Sequence, residues 1–170
     1  MMLEIIFGIG IIFIAYVAIS QTIKFKKKKE NKVFDSKLST YTKGTLEHSI
    51  LYLINSYRNE KGLSILTADE IITKKAHERC LEMVAQRKLS HEGYKDVFHN
   101  LVLLGADSVG EIIAYGFSTA QAVLNGWLNS EKHKNIIENA KYEYVGVYAH
   151  ADDFKRIWYC VIFVNDETKK

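Results

Sequence analysis

The chain has 170 residues, 48% of them apolar and 12% aromatic, which suits one domain with a substantial core plus an appendage. Its formal charge of +3 is mild, and much of the basic excess lies in one run, so composition makes no case for a nucleic-acid partner. Two cysteines are too few for a disulfide framework, and the absence of proline leaves turns to glycine, asparagine, aspartate and serine.

The N-terminus opens on an uncharged stretch, Ile5 to Ile19, built of Ile, Phe, Gly, Ala, Tyr and Val. With Met1 to Leu3 it approaches the ~20 apolar residues that a helix needs to cross a bilayer. Residues 1–22 are therefore expected to form a transmembrane anchor, with Glu4 reaching the interface. A cleaved signal peptide would want a positive start and small residues before the cut, and neither is present. Lys24, Lys26, Lys27, Lys28 and Lys29 follow directly. The positive-inside rule puts such a flank, and the domain behind it, on the cytoplasmic side. The flank reads either as a solvated stop-transfer segment or as a contact for anionic lipid headgroups. Residues 23–44 read as a basic and polar linker, and 45–166 as the domain.

A first helix is expected from Thr45 to Glu60, with Leu46, Ile50, Leu53, Ile54 and Tyr57 on one face and Gly62 as its stop. A second opens at Thr67, where Glu70 completes a capping box. Its apolar face is Ile72, Ala76, Cys80, Met83 and Val84. Leu89 to Gly116 reads as loop-rich, with a strand near Glu111 to Tyr115. A third helix follows with Ser118 or Thr119 as N-cap and Ala122, Val123 and Trp127 inward, then a helical turn over His133 to Glu138. Two strands close the chain. Glu143 to Ala149 alternates, and Ile157 to Val164 is apolar on both faces, as a covered central strand would be. Asp152-Asp153 marks an antiparallel hairpin turn. The fold class is α+β, a small sheet sandwiched by helices. Cys80 and Cys160 fall on apolar faces and read as buried free thiols, with one helix-to-strand disulfide as the alternative.

Chemistry is sought among His91, Glu111 and His133. His91 sits in a loop past the second helix. Glu111 opens an apolar run, and a carboxylate carried into a core needs a partner. His133 lies in a polar segment beyond Trp127. Familiar local motifs are missing: His91-Glu92-Gly93-Tyr94-Lys95 has lysine where a zincin motif needs its second histidine, and there is no Walker A loop, G-x-S-x-G elbow or C-x-x-C. His48 and His77 lie on expected helices and read as surface residues. Trp127 and Trp158 read as core.

An ordered series of segments changes the reading. It runs Asn55-Ser56-Tyr57-Arg58-Asn59-Glu60-Lys61-Gly62-Leu63, Leu66, Ala76-His77, Leu89-Ser90-His91, Gly110-Glu111, Trp127-Leu128-Asn129-Ser130, His133, Asn135-Ile136-Ile137, Tyr144-Val145-Gly146-Val147, Trp158 and Phe163. Over residues 45 to 165 this series resembles the CAP superfamily, the SCP-like domains of cysteine-rich secretory proteins, antigen 5 and pathogenesis-related 1 proteins, in its short prokaryotic form. The resemblance implies an α-β-α sandwich with a small, mainly antiparallel sheet and a cleft lined by histidines and acidic residues. By motif position His91 is the first cleft histidine, Glu111 the glutamate of the G-E-N motif and His133 the second histidine. His99 and His150 match nothing in that pattern. Three departures stand out: Ile112 replaces the asparagine, Glu131-Lys132 replaces Pro-Gly, and the second cleft glutamate has only Glu131 as a candidate, by proximity.

Two functions compete. In the first, a membrane-anchored module uses the His/Glu cleft to bind zinc or another divalent metal, a lipid, or a peptide or protein ligand without turnover. The resemblance favours this one, since no common reaction unites the family. In the second, a zinc-dependent hydrolase uses His91 and His133 as ligands and Glu111 as general base, although such enzymes usually carry a third protein ligand. The lysine flank favours a cytoplasmic domain, whereas the family resemblance favours an extracytoplasmic one.

Overall fold

In the computed structural model the backbone is described from Met2 to Asn165 and the side chains from Ile19 to Asn165. The chain divides into two units, residues 1–36 and 37–170. The first unit is helical, belonging to α1 (Met2–Lys37). The run expected as a linker is thus helical as far as Lys37. Lysine and glutamate favour helix, and no glycine interrupts the chain between Gly10 and Gly44. Ile19, Ile23, Phe25 and the lysines from Lys24 to Lys29 are exposed. Among the described residues no helix is long and apolar enough to cross a membrane. The apolar run on which the expected anchor rests lies, apart from Ile19, outside the residues whose side chains are described.

The second unit begins with α2 (Leu46–Glu60), capped by the Thr45 side chain, which accepts from the His48 amide. Gly62 ends it with φ +73°, a left-handed turn in which the Leu63 amide donates back to the Arg58 carbonyl. The next helix does not open at Thr67. Thr67 and Ala68 form a short strand, β1, and Asp69 caps α3 (Glu70–Gln86) by accepting from the Ile71 and Ile72 amides. The expected capping box of Thr67 and Glu70 is not formed: the cap lies two residues later, at Asp69, because parallel pairing with β3 holds Thr67 extended. Another departure is α4 (Tyr94–Leu103), a helix inside the stretch expected to be loop. Its start, Gly93, offers no side-chain cap, and its outer face carries apolar residues, so neither helix signal is clean.

Strand β2 (Ser108–Tyr115) follows, then α5 (Ala120–Leu128) with Thr119 as N-cap, α6 (Glu131–Ile137), β3 (Tyr144–Ala151) and β4 (Ile157–Asn165). The sheet order is β1-β3-β4-β2, with β4 antiparallel to both long neighbours and β1 parallel to β3. The architecture is α+β with a small mixed sheet, mainly antiparallel. Strand β4 is central and apolar on both sides, since helices cover both faces.

Alternation along the strands sorts those faces. Val109, Ile113, Trp158, Cys160, Ile162 and Val164 pack against Ile72, Ala76, Cys80 and Met83 of α3 and Val97 and Leu101 of α4. Gly146 lets α3 lie directly on β3, because a Cβ there would overlap the Ile72 backbone. On the other side Trp127 of α5 meets Tyr159 edge to face, its indole N–H donating to the Ile113 carbonyl. Both tryptophans are core, as expected. Cys80 and Cys160 are buried free thiols. His77 is half-buried and stacks on Tyr148 at 4.1 Å, so it is less of a surface residue than its helix position suggested.

Two long polar side chains tie this second layer together. Asn55 exchanges two hydrogen bonds with the Leu66 backbone. Arg58, fully buried, donates to the carbonyls of Ser64, Ile137, Asn139 and Tyr142. Four carbonyls replace the water a buried guanidinium gives up. They also fix the C-terminal end of α6 and the approach to β3.

Candidate functional site

Glu111 sits in the middle of β2, on the face turned toward α3, with its side chain 1% exposed. Strand periodicity puts it there, between Val109 and Ile113, which are core on the same face. An isolated carboxylate at such a position would be costly. Here it has three neighbours. His91 Nδ1 lies 2.7 Å from Oε1. Arg79 Nε lies 3.3 Å from Oε2, and the Cys160 thiol is directed at the same oxygen from 3.8 Å.

His91 reaches this carboxylate from the loop between α3 and α4. Its side chain is 55% exposed, so the ring is anchored inward at one nitrogen and open to solvent over much of its surface. A carboxylate only accepts hydrogen bonds, so Nδ1–H is the donor, and the neutral form of the ring then presents the Nε2 lone pair away from Glu111. The loop is held to α3 at two points. Arg79 Nη2 donates to the Ser90 carbonyl. Gly93 packs against the Glu82 carboxylate so closely that a Cβ would fall 2.5 Å from Oε2.

His133 comes from α6, whose Ile136 packs over Gly110. It is half-buried, and burial first, then the charge of His91, hold its pKa below the ordinary 6.5. Gly110 is tightly covered: a Cβ there would lie 2.6 Å from the Tyr142 hydroxyl. Tyr94 donates its hydroxyl to the Val109 carbonyl at 2.5 Å, bracing β2 from the α4 side. Burial pushes the Tyr94 phenol up to about 12, with the Tyr142 and Glu111 charges adding to the shift.

His91 and Glu111 are in direct contact, and His133 is tied to them only through the electrostatic influence of His91. Glu131 does not join them. It is exposed in the first turn of α6, and no bond links it to either histidine or to Glu111 among the described residues. His99 is exposed on α4 and His150 lies on β3. Among the described residues no group of three or more histidine, cysteine, aspartate or glutamate side chains is placed to hold a metal ion. The outward-facing imidazole with a carboxylate behind it is that of His91.

Arg79 is the member that sequence reading missed. It is 2% exposed and joins Glu111, Glu82 and the loop carrying His91. A usable signal was present: Arg79 falls on the stripe of Ile72, Ala76, Cys80 and Met83, where a charge cannot reach solvent without a cost.

The sequence matches the cysteine-rich secretory protein (CAP) family over residues 51–162. It is 31% identical over 116 residues to the uncharacterized protein YkwD of Bacillus subtilis, covering 66% of this chain and 43% of that one. It is 33% identical over 107 residues to the uncharacterized membrane protein YlbC of the same organism, covering 61% and 31%. The chain thus spans less than half the length of these two relatives. An extracellular protein with an SCP domain from Bacillus anthracis has a similar structure, with a TM-score of 0.63 at 26% identity, covering 71% of this chain and 40% of that one.

Proposed function

The chain belongs to the cysteine-rich secretory protein (CAP) family, and from that premise we propose that it is a membrane-tethered binding module whose ligand engages His91 and His133 without being turned over. The observation that carries this reading is the contact of His91 Nδ1 with Glu111 Oε1 at 2.7 Å. It leaves Nε2 as the contact atom and puts the carboxylate behind the imidazole, an arrangement common where histidine meets a metal ion. His133 offers a second imidazole that its surroundings hold neutral.

Imidazole is a ligand type that suits zinc, and two such rings on one divalent cation would leave its remaining positions to water. When bound, the cation would act as a Lewis acid or as a bridge to an anionic ligand group. Two imidazoles alone make an open, exchangeable site rather than a structural one. A lipid, peptide or protein bearing a polar head would meet the same two rings. The hydrolase alternative is less well supported. Glu111 is buried and already engaged by His91 and Arg79, so it is poorly placed to take a proton from a bound water.

The tether is residues 1–22, followed by the flank of Lys24, Lys26, Lys27, Lys28 and Lys29. It is supported by the uncharged run from Ile5 to Ile19 and by the membrane protein among the relatives.

Calorimetric titration of the full chain with zinc and with manganese tests the site. Saturable binding is expected in the wild type, weakened at least ~100-fold in both His91→Ala and His133→Ala, as follows when one of two ligands is lost. Equal binding in all three proteins would remove the metal from this site.

A further inference from the structure

We infer that Arg79 is the positioning residue of the site, setting both the place and the tautomer of His91 from the opposite side of Glu111. Its guanidinium has three attachments on three pieces of chain. Nη1 donates to Glu82 Oε2 at 3.0 Å, one turn further along α3. Nη2 donates to the Ser90 carbonyl, the residue preceding His91. Nε lies 3.3 Å from Glu111 Oε2. That last distance is an ion-pair contact, and the Nε–H is not aimed well enough to make a hydrogen bond.

The two consequences are coupled. By gripping the Ser90 carbonyl, Arg79 fixes the backbone from which His91 projects. By occupying Oε2, it leaves Oε1 for the ring, and a carboxylate oxygen there takes its hydrogen bond from Nδ1–H. Nε2 is then the atom available to any ligand. Glu82 completes the clamp. It takes one arm of Arg79 and a hydrogen bond from Gln86, and it packs under Gly93 at the far end of the loop. The loop carrying His91 is pinned on both sides of that residue by an Arg–Glu pair one helical turn apart. Lysine cannot replace this. An ammonium is a point charge, whereas three partners at fixed angles need a planar fork.

The inference rests on the binding proposal only in treating His91 as the contact group, and its test needs no ligand. The ring nitrogens of His91 in the full chain are followed by 15N NMR at one alkaline pH, where histidine is neutral. A single Nδ1–H tautomer is expected in the wild type. Both Arg79→Lys and Arg79→Gln should populate the Nε2–H tautomer, the glutamine variant more, and binding of zinc to either should weaken about tenfold, as for other outer-shell losses. Circular dichroism identifies which variants fold. A wild-type ring in the Nε2–H form, or an unchanged His91 spectrum in either folded variant, overturns the assignment. An expected tautomer change without zinc binding by any protein would retire the metal reading and leave Arg79 in its role. Should Arg79→Gln not fold, the wild-type spectrum and Arg79→Lys still decide.

Discussion

At the scale of the residue, the site is built around one buried charge. Glu111 is tolerable in a strand centre because a guanidinium and an imidazole stand on its two oxygens. Removing the charge leaves Arg79 buried with the part-exposed Glu82 as its remaining carboxylate partner. Glu111→Gln should therefore destabilise the domain by about 3 kcal/mol, the lower end of the cost of breaking a buried pair; urea unfolding measures it, and a loss below about 1 kcal/mol would mean that the pair is solvated. The thiols are the second residue-level case. Burial pushes Cys80 up to about 12 from 9.0, so the folded state holds its proton where the unfolded state releases it. The stability it contributes is complete below pH 9 and is lost as pH rises from 9 toward 12. Neither Cys80 nor Cys160 should react with a thiol reagent at pH 8 until urea is added. Rapid labelling of the folded protein would show that these two positions open.

Element by element, the sequence was legible where a rule acts locally. Thr45 and Thr119 cap their helices, Gly62 ends α2, and the apolar run of β4 marks the central strand. It misled where tertiary contacts decided. β1 exists only because β3 pairs with it, and that moved the start of α3 to Asp69. Helix α4 was hidden because Phe98, Val102, Leu103 and Leu104 are exposed, which blurs its helical stripe. Arg58 and Arg79 sit on apolar faces where arginine reads as surface, and their partners come from distant segments or a neighbouring loop. The pairing of His91 with Glu111 came from the order of motifs rather than from any local signal. The tightest joint between elements is α3 on β3. Gly146→Ala would press a methyl group into the Ile72 backbone, and backbone cannot swing aside as a side chain can. A loss of about 3 kcal/mol or more is expected, at the upper end for overpacking; thermal unfolding checks it, and a neutral result would mean that α3 rides further from the sheet.

For the whole molecule, the two units make separable predictions. The full chain should remain with membranes through an alkaline carbonate wash, as an inserted helix does. Residues 37–170, which form their own unit, should stay in solution. Release of the full chain by carbonate would contradict the anchor and leave the domain untouched. Because both native cysteines are buried, a single Lys141→Cys substitution reports the side of the membrane to an impermeant reagent on intact cells. Labelling would place the domain outside, where the Bacillus anthracis relative is found. Protection until lysis would mean that the lysine flank had set the orientation.

The central claim is that two imidazoles from separate elements serve one ligand. Of six histidines, only His91 and His133 are assigned to the site. Zinc titration of the full chain, followed through all the histidine ring resonances, tests this directly. His91 and His133 should shift together at one midpoint while His48, His77, His99 and His150 stay still. Movement of either ring without the other, or of neither, would contradict the account.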